Sequence, residues 1–281
     1  MDIEDFASGY SLPYVQNERR QPLMGGLRAR HRLLPHVRLR STAVLASSFE
    51  GHKEAVIRST RPVAYRSWKM MELRQITPDC ELYTQSIRDL PEDWPLPWWG
   101  FVWPGGYAIT HAVYSEPSLV RNRRVIDFAC GCGSASIASV WSGAREVLAN
   151  DICHVAVAAT SVNASINGVR AGFGSGHAIR LLPDDIIGSD IGRFVQPGDV
   201  MIAGDTLYDG GIASRIIPWM QALAKHGVDV YIGDPKRWVL QEMSSSKRRE
   251  VFEHCFDVDL PEEISRENHG FTSAAVLKLR R

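Results

Sequence analysis

The sequence is poor in cysteine, has no excess of charge of either sign and contains no long apolar run. Each absence removes a class of function. The five cysteines, Cys80, Cys130, Cys132, Cys153 and Cys255, are odd in number and lack the paired spacing of a zinc site, so no metal and no disulfide framework is expected. The nearest two, Cys130 and Cys132, form a C-x-C, which is not a usual half of a four-ligand set. Free thiols in a reducing compartment are the simpler reading. Lys and Arg number 32 and Asp and Glu 32, so no global field argues for nucleic acid or an anionic membrane. No uninterrupted apolar stretch approaches the ~20 residues that span a bilayer. What remains, 281 residues with 44% hydrophobic and 23% charged, suits one α/β domain of about 200 residues with an appendage.

One further absence is local. Between Arg19 and Ser48 there is no Asp or Glu, while Arg19, Arg20, Arg28, Arg30, Arg32, Arg38 and Arg40 all fall there. An Arg-, Leu-, Ala- and Ser-rich stretch without acids has the composition of a mitochondrial transit peptide, although the acids Asp2, Glu4 and Asp5 do not suit such a signal. A start at Met24 gives a better presequence; a basic tail without a targeting role is the alternative. Residues 1–49 are therefore read as a basic N-terminal segment. Residues 50–96 are read as an N-terminal extension with one short helix and a candidate strand across Cys80–Arg88, broken off by Pro91, Pro95 and Pro97.

From residue 97 to 281 apolar runs and helical periods alternate. Arg124–Ala129, Arg145–Asp151, Ala178–Leu182, Asp199–Gly204 and Val228–Gly233 read as strands. Helical spacing follows the first, second and fourth of these, with Gly143 and Asn167-Gly168 as stops. Val251–Val258 and Thr272–Leu279 come close together near the C-terminus. The pattern predicts an α/β fold: a parallel sheet covered on both faces and finished by an antiparallel pair.

Ligands of such sheets bind outside the carboxyl ends of the strands. The first turn is Ala129-Cys130-Gly131-Cys132-Gly133-Ser134, where glycine lets the backbone turn sharply and approach a ligand. A dinucleotide fingerprint wants a third glycine two residues beyond the second, and Ser136 stands there. Asp127, just before the turn, would repel a pyrophosphate but suits a ligand bearing an ammonium and a sulfonium. Asp151, ending the second strand, is placed for ribose hydroxyls. Loop capping is the bland role for both acids. Together these signs favour S-adenosylmethionine.

Upstream lie Trp98, Trp99 and Trp103, the last followed by Pro104-Gly105-Gly106 at a helix start. Trp98 and Trp99 read equally well as a hydrophobic lid; Trp103 could wall the cofactor pocket and attract a sulfonium. After the fourth strand, Asp205-x-x-Tyr208 stands where an incoming amine would meet a methyl donor, with helix capping and core packing as the bland roles.

Trp103-Pro104-Gly105-Gly106, the turn from Asp127 to Gly133, Leu148 to Ile152, Gly204-Asp205-x-x-Tyr208-Asp209, Ile232 to Pro235 and Glu267-Asn268-x-Gly270-x-Thr272 occur in that order. The chain thereby resembles the Asp-x-x-Tyr family of seven-β-strand protein methyltransferases, over about Pro97 to Leu277. That resemblance implies a class I, Rossmann-like fold with a seven-stranded, mostly parallel sheet. It also implies S-adenosylmethionine as cofactor and a protein lysine as acceptor, specifically on the electron-transfer flavoprotein β subunit of the mitochondrial matrix; a cytoplasmic location is the alternative. The family usually has glycine where Ala129 stands. By the same resemblance Asp205 would orient the lysine ammonium, with Tyr208 as hydrogen-bond partner or wall. Trp103, Asp127, Gly131, Gly133 and Asp151 would hold the cofactor, and Asp185 its adenine. Rival readings are a small-molecule N-methyltransferase, an inactive cofactor-binding scaffold or chaperone, and, with its third glycine missing, a dehydrogenase.

Overall fold

Strands that read as continuous apolar runs are those that bury both faces, and the inner strands do so here. The computed structural model describes residues 42–85, 95–189, 194–268 and 270–281. The basic stretch from Arg19 and the alternative start at Met24 lie outside these residues, except for its C-terminal end from Thr42.

The main sheet contains β3 (Arg124–Phe128), β4 (Glu146–Asn150), β5 (Ala171–Gly172), β6 (Ile179–Leu182), β7 (Val200–Gly204), β8 (Asp229–Asp234), β9 (Phe252–Asp259) and β10 (Ser273–Leu279). Their order is β5-β6-β4-β3-β7-β8-β10-β9. Pairings from β5 through β8 are parallel, and β10 runs antiparallel to both β8 and β9. This is the expected mostly parallel sheet with an antiparallel C-terminal pair, lengthened by one edge strand. That addition, β5, is two residues long and too short to leave a periodic trace.

Alternation sends Val125, Val147, Val200 and Ile202 to one face of the sheet and Ile126, Leu148, Met201 and Ala203 to the other. Against the second face lies the helix Gly210–Lys225, through Ala213, Ile216, Met220 and Leu223. The first face meets the helices Pro104–Ser115, Ser134–Trp141 and His154–Ile166. Strand order reverses between β4 and β7, on either side of β3, so the turn after β3 opens at the switch point.

The N-terminal extension differs from its reading. It has a helix, Thr42–Ser59, but also an antiparallel hairpin, β1 (Arg61–Tyr65) with β2 (Met71–Gln75). Its turn uses Lys69 and Met70 at φ 50° and 64°, a conformation usually signalled by Gly or Asn, so the hairpin was hidden. Trp68 is fully buried, stacked on Tyr65 and tilted against Tyr107, with ring centroids 4.6 Å apart in both cases. These rings pin the hairpin to the helix Pro104–Ser115. The strand expected from Cys80 is instead a single helical turn, Glu81–Thr84, and the expected strand's last residues lie outside those described. Among the described residues no helix is long and apolar enough to cross a membrane.

Candidate active site

Three motifs far apart in sequence meet through glycines. A Cβ on Gly105 would stand 2.1 Å from the carbonyl oxygen of Gly233, and one on Gly204 would stand 2.5 Å from Cα of Gly106. The helix beginning Pro104-Gly105-Gly106 therefore rests directly on the carboxyl ends of β7 and β8. Backbone approach that close admits no side chain.

Asp205 sits at this junction, at φ 54° and 7% exposed. One carboxylate oxygen accepts from the amides of Gly105 and Gly106, two of the orphan donors at a helix start. The other takes Nε and Nη2 of Arg237 at 2.9 and 2.5 Å. Arg237 is itself buried, with its guanidinium 5.8 Å from the Phe271 ring centre and its amide donating to Asp234. Four donors thus occupy the carboxylate on which an incoming ammonium was expected, and a carboxylate has about four lone-pair sites. Asp234 is fully buried beside this pair; burial, then the charge of Asp205, lifts it to about 7.

Beside the junction lies an open cleft. Its lining includes Phe101, Trp103, Asp127, Ala129, Gly131 and Gly204. Asp127 is 3% exposed and accepts from Ser136 Oγ at 2.6 Å. Burial raises its carboxyl to about 7, with Ser136 opposing and the charge of Asp151 adding to the rise. Among the described residues no cation pairs with it. A buried, uncompensated carboxylate facing a cleft fits a cationic ligand. Gly131, at φ 53°, has nothing within 4 Å of a Cβ position, leaving room for a ligand against the backbone. Ala129 adopts φ 55°, so the turn is made without the usual glycine at the expense of a strained alanine.

The other expected residues stand further back. Asp151 accepts from the Gly131 amide at 3.0 Å and the Cys153 amide at 2.9 Å, tying the first turn to the end of β4. Gly133 does not line the cleft; its Cβ would meet Thr160 at 2.7 Å, so glycine there serves packing against the helix His154–Ile166. Asp185 does not line the cleft either and forms an exposed pair with Arg215 at 3.5 Å. Tyr208 is half-buried with its ring edge-on to Trp98, centroids 5.6 Å apart, and the next residue, Asp209, caps the helix Gly210–Lys225. The two lid tryptophans divide: Trp99 is buried with Val56, Val155 and Ala159, while Trp98 faces Tyr208. From the N-terminal hairpin, the Arg74 amide donates to Asn163, whose side chain donates to the Cys132 carbonyl, so the extension braces the cofactor turn.

A switch-point cleft with a glycine turn, an uncompensated acid and an aromatic wall defines a class I S-adenosylmethionine-dependent methyltransferase. A solved structure from Streptococcus mutans, assigned as an S-adenosylmethionine-dependent methyltransferase, shares the fold with TM-score 0.50 at 10% identity, over 78% of this chain and 55% of that one. A family profile for ribosomal protein L11 methyltransferase (PrmA) matches residues 114–191, which hold the cofactor turn. The electron transfer flavoprotein beta subunit lysine methyltransferase of Danio rerio is 34% identical over 209 residues, covering 73% of this chain and 74% of the relative. That of Mus musculus is also 34% identical, covering 73% and 75%. The chain belongs to this family of electron transfer flavoprotein β-subunit lysine methyltransferases, and is an S-adenosylmethionine-dependent protein-lysine methyltransferase.

Proposed function

We propose that this chain methylates lysine side chains of the electron transfer flavoprotein β subunit in the mitochondrial matrix. The observation that carries the acceptor is the 34% identity to relatives named for that substrate, sustained over 73% of the chain. The acid-free, arginine-rich stretch from Arg19 to Ser48 supports the location.

S-adenosylmethionine, when bound, supplies a methyl group on a sulfonium; the lysine nitrogen gains the carbon as the sulfur–carbon bond breaks, and a nitrogen-borne proton leaves to water. The chain's residues bind and aim. Asp127 offers the countercharge for the cofactor's cationic end, and Gly131 lets it lie against the backbone. Trp103 walls the cleft with its ring, held by an Nε1–H bond to the Trp98 carbonyl at 2.8 Å. Asp151 positions the Gly131 loop and keeps lone pairs for ribose hydroxyls. Asp185 can serve the adenine end because an exposed pair such as that with Arg215 is weak. Asp205, its oxygens taken, acts by locking the helix start and Arg237 around the transfer point, with Tyr208 at the acceptor's entrance. Since a free lysine has a pKa of about 10.4, its ammonium must lose a proton to water before the neutral nitrogen can accept the methyl group.

The test is mass spectrometry of purified electron transfer flavoprotein β subunit after incubation with the enzyme and S-adenosylmethionine. Added methyl masses on lysine, absent without cofactor, are expected. No added mass from an enzyme shown to bind the cofactor would overturn this acceptor.

A further inference from the structure

We infer that Trp238, together with Trp98 and Tyr208, forms the rim that receives the acceptor lysine and the protein segment carrying it. This rests on the lysine-acceptor reading and adds a residue to its substrate side.

An incoming ammonium needs a carboxylate or the face of an aromatic ring to meet its charge. Asp205 is committed to four donors, and Asp209 Oδ1 accepts from the Ile212 amide at 2.8 Å. Asp205 is thus fully occupied by a helix start and Arg237, while Asp209 caps the helix Gly210–Lys225 through one oxygen. Aromatic rings stand at the same place. Phe101 and Trp103 line the cofactor cleft, with centroids 5.9 Å apart. Trp103 Nε1 donates to the Trp98 carbonyl, and the Trp98 ring meets Tyr208 edge-on. Trp238 Nε1 donates to the Tyr208 carbonyl at 3.1 Å. A continuous series of aromatic residues therefore runs from the cofactor cleft to the surface.

Trp238 ends that series and is 42% exposed. It is held as well as exposed. Besides the bond to Tyr208, its ring lies over Gly210, where a Cβ would come 3.0 Å from it. An indole fixed on one side and open on the other loses little freedom on contact, which is why tryptophan is over-represented among residues that dominate protein interfaces. Its π face suits the ammonium of a lysine, and its area suits the apolar stem. Both Trp238 and Tyr208 follow the carboxyl ends of neighbouring strands, β8 and β7, so the rim lies at the reactive end of the sheet.

The experiment compares the wild-type enzyme with Trp238→Ala and Trp238→Phe, using purified electron transfer flavoprotein β subunit as acceptor. It reads acceptor KM, kcat, cofactor affinity by calorimetry and melting temperature. Trp238→Ala should raise acceptor KM roughly tenfold or more, with cofactor affinity within about twofold and melting unchanged. Trp238→Phe, which keeps a ring, should recover most of the loss. An acceptor KM unchanged in Trp238→Ala, or a parallel loss of cofactor affinity, overturns the inference alone. A wild-type enzyme that binds cofactor but methylates no lysine of this acceptor overturns the acceptor reading, and the inference with it.

Discussion

Replacing Asp127 by asparagine should make the empty enzyme more stable and the working enzyme worse. The Asp127 carboxyl moves from an ordinary 3.8 to about 7 in the fold, chiefly through burial. Its folded-state value lies above its unfolded value, so the folded protein holds the proton more tightly. The contribution is neutral below about pH 4, grows unfavourable as pH rises towards 7, and is fully unfavourable above that. At about 1.4 kcal/mol per pH unit of displacement, the full cost is on the order of 4 kcal/mol. At pH 5 it is on the order of 2 kcal/mol. Asp127→Asn removes this dependence. Its stability relative to wild type in urea denaturation should therefore fall by roughly 2–3 kcal/mol between pH 8 and pH 5. Cofactor binding should go the other way. A cationic ligand prefers the ionised carboxylate, so wild-type affinity should weaken up to about tenfold per pH unit below 7, and the variant should bind at least ~10-fold more weakly at pH 8. Calorimetry from pH 5.5 to 8 reads both. Equal affinity of the two proteins at pH 8, with a stability difference indifferent to pH, would refute the assignment of Asp127 as a buried, uncompensated charge.

Four other substitutions probe the junction and the turn. Gly105→Ala places a methyl against the Gly233 carbonyl and should cost on the order of 3 kcal/mol; Gly106→Ala, with open space at its Cβ, should stay within about 1 kcal/mol, and thermal melts of the pair check the contrast. Asp205→Ala leaves Arg237 buried without its partner and should lose about 3–5 kcal/mol of stability. Its inactivity would then be partly unfolding, which denaturation in parallel with activity assays distinguishes; a fully stable variant would refute the pairing. Ala129→Gly relieves a left-handed alanine worth roughly 1–2 kcal/mol but loosens the unfolded chain by about 0.4–1 kcal/mol. Equilibrium unfolding should therefore show a small net gain, and a clear loss would show that the methyl group is needed for packing.

The sheet was legible because its physics is local. Val125, Ile126, Val147 and Leu148 can only belong to strands covered on both sides, and the small residues after β3 mark the turn where a ligand comes close. The N-terminal hairpin was not, since Lys69 and Met70 make its turn without the residues that normally advertise positive φ. Nor could spacing distinguish a strand from one helical turn over Glu81–Thr84.

The site was legible as a set of motifs but not as a set of contacts, and the two differ in what they imply. Sequence order presents Trp103-Pro104-Gly105-Gly106, Gly204-Asp205 and Gly233-Asp234 as separate signatures, each open to its own functional reading. In the fold they are one object, because the glycines let three backbone segments touch and Asp205 fastens them through Gly105, Gly106 and Arg237. Arg237 lies three residues beyond Asp234, yet nothing in its neighbourhood marks it as the partner of an acid 32 positions earlier. An acid in a motif at the mouth of a sheet invites a direct role towards substrate. Its hydrogen bonds decide otherwise: with every lone pair taken, Asp205 can shape the place where the amine arrives but has little left with which to receive it. On the inference drawn above, recognition of the amine passes to the rings of Trp98, Tyr208 and Trp238, which are linked by an edge-on ring contact and a hydrogen bond.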